Sequence, residues 1–231
     1  MLGTIVNSAA IIAGGLIGNI LRGRFPENIS STLIQGLSLV VMLIGLSMAL
    51  KTENFLIMTF SIVSGAILGE VMQIEESLNK LGEKLENRFG NGNGNFTKAF
   101  VSASLLYCVG AMAIMGAIES GLTGDHRILF VKSMLDGVSS VVFSSTLGIG
   151  VAFSAVPVFL YQGSISLAAG FIKPYLTDAI IAEMTATGGL LIFGIGLNML
   201  EGKSKVKVGN MLPAIFTAII FTVLFSHFPQ L

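Results

Sequence analysis

Lys132 and Asp136 stand four residues apart in a largely apolar run from Ile128 to Val142. That spacing puts both side chains on one helix face, where ammonium and carboxylate can neutralise each other. A charge at membrane depth costs about 3 kcal/mol or more, so it faces a partner or water. The chemistry open to such a pair is proton or cation coupling, with Asp136 exchanging the ion and Lys132 as its charge partner. Gly137 follows, then Ser139, Ser140, Ser144, Ser145 and Thr146. A half-span so rich in hydroxyls is expected to face water or a permeation path. A purely structural pair, with Lys132 reaching out to the interface, fits the same spacing.

Four further polar residues lie in apolar surroundings. Gln162 sits mid-span in Tyr161-Gln162-Gly163-Ser164, five residues after Pro157. A proline inside a helix frees a carbonyl, and freed carbonyls with a side-chain amide can hold a cation or a solute. An interhelical hydrogen bond that only joins the bundle is the competing reading for Gln162. Asn7 and Asn198 are lone amides, for which that joining role comes first. Glu183, with Thr185, Thr187 and Gly188-Gly189, is expected at an outer vestibule or as an interfacial charge. Together Asp136, Lys132, Gln162, Asn7, Asn198 and Glu183 form the candidate solute- or ion-binding set.

Enzymatic chemistry is not expected. There is no His-Glu-x-x-His zinc motif and no Ser/His pair at depth, and only one Asp is clearly embedded. His126 and His227 are far apart, and Cys108 is the single cysteine, which excludes an intrachain disulfide or a multi-cysteine metal site. No cofactor or metal is implied. Acidic and basic residues balance at 13 each, which leaves no electrostatic footprint for nucleic acid.

The elements that must carry these residues are membrane helices. Apolar types make up 53% of the 231 residues and charged types 11%, against about 25% charged in a soluble domain. Spans of about 20 apolar residues are predicted near 3–21, 31–50, 54–72, 99–118, 128–147, 151–172, 178–200 and 208–227. Only Gly148-Ile149-Gly150 separates the fifth from the sixth. No basic leader or cleavage pattern precedes Leu2–Leu21, which is expected to be a retained first span.

Charge orients the spans. With the N-terminus outside, the cytoplasmic connections hold Arg22, Arg24, Lys80, Lys84, Arg88, Lys98, Lys203, Lys205 and Lys207. The outer connections hold only Lys51, Arg127 and Lys173. Positive residues favour the cytoplasmic side, so eight spans with both termini outside is the expected topology. Merging the fifth and sixth spans would weaken this bias.

The longest connection is itself patterned. Val71, Ile74, Leu78, Leu81, Leu85 and Phe89 recur at steps of three and four, with Glu75, Glu76, Lys80, Glu83, Lys84 and Glu86 opposite. This predicts an amphipathic helix over 71–89 that lies in the interface, packs on the bundle or docks to a partner. Gly90-Asn91-Gly92-Asn93-Gly94-Asn95 then makes a flexible joint.

The chain also repeats itself. Ile44-Gly45-Leu46-Ser47-Met48 returns as Ile195-Gly196-Leu197-Asn198-Met199. Ala13-Gly14-Gly15-Leu16-Ile17 matches Ala168-Ala169-Gly170-Phe171-Ile172, a register that sets Asn7 on Gln162. Pro26 and Pro174 precede the second span of each trio, and Ser61 to Gly65 can be set beside Asn210 to Ala214. The shift is five spans. An odd shift reverses direction across a bilayer, the mark of an inverted-topology repeat. Chance matches between apolar segments are the alternative. Small residues at Gly14 and Gly18, Gly65 and Gly69, and Ser166 and Gly170 predict close helix contacts, within one chain or in a homo-oligomer.

Several of these stretches resemble one bacterial family. They are Gly3-Thr4-Ile5-Val6-Asn7-Ser8-Ala9-Ala10, Gly14-Gly15-Leu16-Ile17-Gly18, Ser64-Gly65-Ala66-Ile67-Leu68-Gly69-Glu70 and Asp136-Gly137. The chain is similar, over nearly its whole length, to the YdfK/YqgA-like membrane proteins, whose domain (domain of unknown function 554) has no established role. The resemblance implies an integral protein of the bacterial cytoplasmic membrane and carries over no site residues.

The expected fold is therefore all-α, a single polytopic transmembrane bundle over 1–231 of about eight spans. It comprises three spans (1–72), a cytoplasmic helix and linker (73–98), a central hairpin (99–150) and three last spans (151–231). Spans 1–3 and 6–8 form the inverted repeat. The expected function is a secondary transporter or channel for a small solute or ion, with the lipid bilayer as its other partner. The alternative is a non-transporting scaffold or regulator that uses the helix at 71–89.

Overall fold

The computed structural model describes residues 1–22, 27–89, 95–200 and 206–226. Arg24, Pro26, the glycine–asparagine joint over 90–94, Lys203, Lys205 and His227 lie outside the described residues. The described residues are mainly helical and include no strand. The helices are α1 (Leu2–Leu21), α2 (Glu27–Ala49), α3 (Phe55–Met72), α4 (Ile74–Phe89), α5 (Asn95–Cys108), α6 (Ala111–Leu122), α7 (Arg127–Leu147), α8 (Gly150–Phe153), α9 (Ala155–Ile172), α10 (Asp178–Met199) and α11 (Ala214–Ser226). Among the described residues, seven stretches are long and apolar enough to cross a membrane, and the bent pair α5 and α6 makes an eighth if it is counted as one span.

Local chemistry sets the boundaries. Asn54 caps α3 by accepting from Leu56 N at 2.9 Å, and Thr177 caps α10 by accepting from Ile180 N at 3.3 Å. Gly148, at φ 105°, ends α7, so the fifth and sixth spans are separate. Gly110, at φ 127°, breaks the predicted fourth span into α5 and α6, which meet at 61°. A left-handed backbone of this kind favours glycine.

Two expectations need correction. The amphipathic helix does not run from 71. Gln73 adopts the left-handed conformation at φ 53° and closes α3, so Val71 belongs to α3 and α4 starts at Ile74. The buried residues of α4 are Gly82 and Glu86, while Leu81 and Phe89 are exposed. Glu86 accepts from Thr97 Oγ1 at 2.7 Å, which ties α4 to α5. Pro157 does not free a carbonyl beside Gln162. It lies in the first turn of α9, where a missing N–H matters little, and its break falls at the α8–α9 joint.

The chain divides into two compact units, Met1–Ile34 with Asn79–Tyr175, and Gln35–Leu78 with Leu176–Leu231. The division falls inside α2 and α4. In the first unit α1 lies along α7. A Cβ on Gly14 would overlap Gly137 O, and one on Gly18 would overlap Val141 O. Gly3 meets Leu129, so both helices ascend together and run parallel. In the same unit, α1 runs antiparallel to α8–α9, Gly15 meeting Ala152 and Asn7 meeting Gln162.

In the second unit α10 lies against α2 and α11 against α3. Gly45 abuts Phe193 N, and Gly196 abuts Met42. Gly65 and Gly69 abut Ala214 and Asn210, and Thr217 Oγ1 donates to Ser61 O at 3.0 Å. Both pairs are antiparallel. The Gly14/Gly18 and Gly65/Gly69 faces are thus covered by the chain itself; of the third, Ser166 is buried against α6, donating to Ala117 O at 2.8 Å, and Gly170 is exposed.

Candidate functional site

The first unit holds a buried polar cluster built by three helices. α7 supplies Lys132 and Asp136, one turn apart on the same face. Lys132 Nζ lies 3.0 Å from Asp136 Oδ1 and 2.8 Å from Oδ2, so the ammonium straddles the carboxylate. α1 supplies Asn7, whose Nδ2 donates to Asp136 Oδ2 at 3.0 Å and to Gln162 Oε1 at 3.3 Å. α9 supplies Gln162. Asn7 and Gln162 are 0% exposed, Asp136 6% and Lys132 7%, so the whole set is shielded from bulk solvent. The close approach of α1 to α7 at Gly14 and Gly18 is what brings Asn7 within reach of a short aspartate.

Other groups surround the carboxylate. From α5, Tyr107 and Cys108 lie within electrostatic reach of Asp136, and Cys108 also of Lys132. Tyr161 of α9 lies within reach of Cys108. α1 and α8 bring no titratable side chain, and α6 only Glu119, whose charge is felt at Arg127. Gly116 packs on Ile128 and Leu129 in the α6–α7 hairpin. Counting back one turn places the start of α6, just after the Gly110 break, level with Lys132.

The hydroxyls after Asp136 all have acceptors within the protein. Ser139 and Ser140 donate to Tyr107 Oη at 3.2 and 3.0 Å, and Ser144 donates to Gly15 O at 2.6 Å. Ser145 and Thr146 bond back to Val142 O. In a helix that packs this closely, hydroxyls find backbone and side-chain acceptors before they find solvent. Tyr107 was not anticipated. Its signal was a tyrosine alone in an apolar run, with serines one helix turn past the predicted pair to receive it.

The other two candidates belong to the second unit and have structural partners there. Glu183 is 2% exposed and anchors the α2–α3 turn. Its Oε2 accepts from Thr52 Oγ1 at 2.6 Å, and Oε1 accepts from Glu53 N at 2.8 Å and Asn54 N at 3.1 Å. Asn198 clamps Val206 through Nδ2 to its carbonyl at 2.7 Å and Oδ1 to its N–H at 2.8 Å. Nearby, Glu70 accepts from Asn210 Nδ2 and Lys207 Nζ, both at 2.7 Å, and Glu75 accepts from Gly209 N at 2.6 Å. The hydrogen bond that Lys207 donates to Glu70 holds the ammonium above its usual range. In the α6–α7 turn, Arg127 holds Asp125 down to about 2. Cys108 and His126 meet no second ligand, and no cluster able to hold a metal occurs among the described residues.

Stacked apolar helices around a buried polar cluster with a closed ion pair define a polytopic helical membrane protein. The chain belongs to the family described as Protein of unknown function (DUF554), whose pattern matches residues 2–223. It is 33% identical over 229 residues to the Uncharacterized membrane protein YdfK of Bacillus subtilis (strain 168), covering 96% of this chain and 97% of the relative. It is 32% identical over 223 residues to the Uncharacterized protein YqgA of Escherichia coli (strain K12), covering 94% of both. No solved structure matches the chain.

Proposed function

We propose that the protein is a secondary transporter or channel for a small solute or ion in the bacterial cytoplasmic membrane, with Asp136 as its coupling carboxylate. The observation that carries this reading is the convergence of Asn7, Gln162, Lys132 and Asp136 into one buried cluster. A lone structural ion pair needs no amides from two other helices. Ionised, Asp136 holds the Asn7 amide by accepting its N–H. Loss of that charge releases Asn7 and leaves Lys132 without its partner, so proton uptake reorganises the cluster.

The inverted repeat belongs to the same proposal. Three pairings support it, α1 with α9, α2 with α10 and α3 with α11, each antiparallel as a five-span shift requires. Asn7 bonds Gln162 and Gly65 abuts Ala214, in both cases the residues the repeat register makes equivalent. Gly45 abuts Phe193 while Gly196 abuts Met42, which are reciprocal contacts in that register. Such reciprocity is what a two-fold axis generates. Sites at a repeat interface near the midplane are common in secondary transporters. The parallel run of α1 and α7 suits a first and a fifth span, and both termini are assigned to the outside.

Untargeted metabolite profiling tests the function. A deletion strain and a strain carrying Asp136→Asn are expected to shift the same solute relative to wild type. A normal profile in the Asp136→Asn strain, with the protein present in the membrane, removes Asp136 from the mechanism.

A further inference from the structure

We propose that Asn7 and Gln162 bind a small uncharged, amide-like solute, one that donates to Asn7 Oδ1 and accepts from Gln162 Nε2. This rests on the transport reading above and names its substrate class. Among the described residues of the first unit, the buried side-chain polar atoms without a protein partner are Thr4 Oγ1, Asn7 Oδ1, Ser8 Oγ and Gln162 Nε2. All four lie on α1 or α9. Thr4, Asn7 and Ser8 are spaced by three and four, hence on one face of α1, and Asn7 bonds Gln162 directly. Each unpartnered buried group costs about 1–3 kcal/mol, so four on neighbouring helices call for a ligand.

The cluster fixes which atoms are free. The Asp136 carboxylate only accepts, so Asn7 must turn its N–H toward it. That same N–H group then requires the carbonyl of Gln162. What remains is one obligate acceptor, Asn7 Oδ1, and one obligate donor, Gln162 Nε2, on two side chains already joined by a hydrogen bond. A planar molecule with an N–H and a C=O, such as a carboxamide or a urea, answers both. The hydroxyls of Thr4 and Ser8 donate or accept as needed.

Charge selects against ions. Lys132 and Asp136 already cancel, so the cluster offers a charged solute no free counter-charge, and an uncharged solute needs none.

Three planar probes of similar size separate the possibilities: acetamide, guanidinium chloride and potassium nitrate. Proteoliposomes containing the full chain are mixed with each, and re-swelling is followed by stopped-flow light scattering, with ionophores carrying compensating charge for the salts. Acetamide is expected to enter several-fold faster than into empty liposomes, and the salts no faster. Gln162→Leu and the near-isosteric Gln162→Glu, each shown to melt as a folded protein, are expected to abolish the acetamide gain. Entry of guanidinium or nitrate without acetamide overturns the substrate class and leaves the transport reading standing. An acetamide gain that survives both Gln162 variants overturns the site. Faster water flow alone, with acetamide excluded, also overturns the proposal. Failure of every probe to outpace empty liposomes overturns the proposal and, with a normal metabolite profile for Asp136→Asn, the transport reading as well.

Discussion

At the residue scale, the buried pair makes its own prediction. Lys132→Met leaves Asp136 as an unpaired charge and is expected to cost about 3–5 kcal/mol of stability. Lys132→Met with Asp136→Leu removes both charges and is expected to recover most of that loss, as read by thermal unfolding in detergent. The sequence made this pair visible because i,i+4 spacing is local, and setting residues 13–17 beside residues 168–172 pointed to Asn7 and Gln162 from two distant segments. The roles of Glu183 and Asn198 were not legible in the same way. Their partners are backbone groups of a turn and a loop, at Glu53, Asn54 and Val206, and no pattern of side-chain types announces a backbone donor. Glu183→Ala should strand those donors and Thr52, at a cost of about 2 kcal/mol or more. A Glu183→Ala protein that melts like wild type would show that the anchoring role is wrong.

At the element scale, the close approach of α1 to α7 is the step on which the cluster depends. Gly14→Leu drives a side chain into Gly137 O and Ser140, and is expected to destabilise by about 1–3 kcal/mol or to block folding. Gly36→Leu, where nothing lies within 4 Å, is the matched control and should be silent. Monodispersity on size exclusion and melting temperature separate the two. Span boundaries were legible to within a few residues, because hydropathy and capping residues such as Asn54 are read along the chain. The break at Gly110 and the early end of α3 at Gln73 were not. Each depends on one residue adopting a left-handed backbone, which alternation of apolar and polar types does not encode. On α4, Glu86 is buried where it accepts from Thr97 Oγ1 of α5, a contact between helices that the apolar stripe does not encode.

At the scale of the whole molecule, the account requires eight crossings and both ends on the same, outer side. In a Cys108→Ser background, single cysteines placed at the two ends of the chain should react with a membrane-impermeant maleimide from outside intact cells. A cysteine at Glu83 should not. Labelling of one end only would mean an odd number of crossings, and would remove the antiparallel relation on which the repeat rests. Membership in a widely separated family, with relatives in Bacillus subtilis and Escherichia coli, makes the function testable in either type of cell envelope. The central claim is that the buried cluster acts on a solute and does not merely join helices. The double variant Lys132→Met with Asp136→Leu tests this most directly, in the deletion strain whose solute shift is known. The account predicts a protein that folds and reaches the membrane as wild type does, yet fails to restore the solute level. Full restoration by the folded double variant would contradict it.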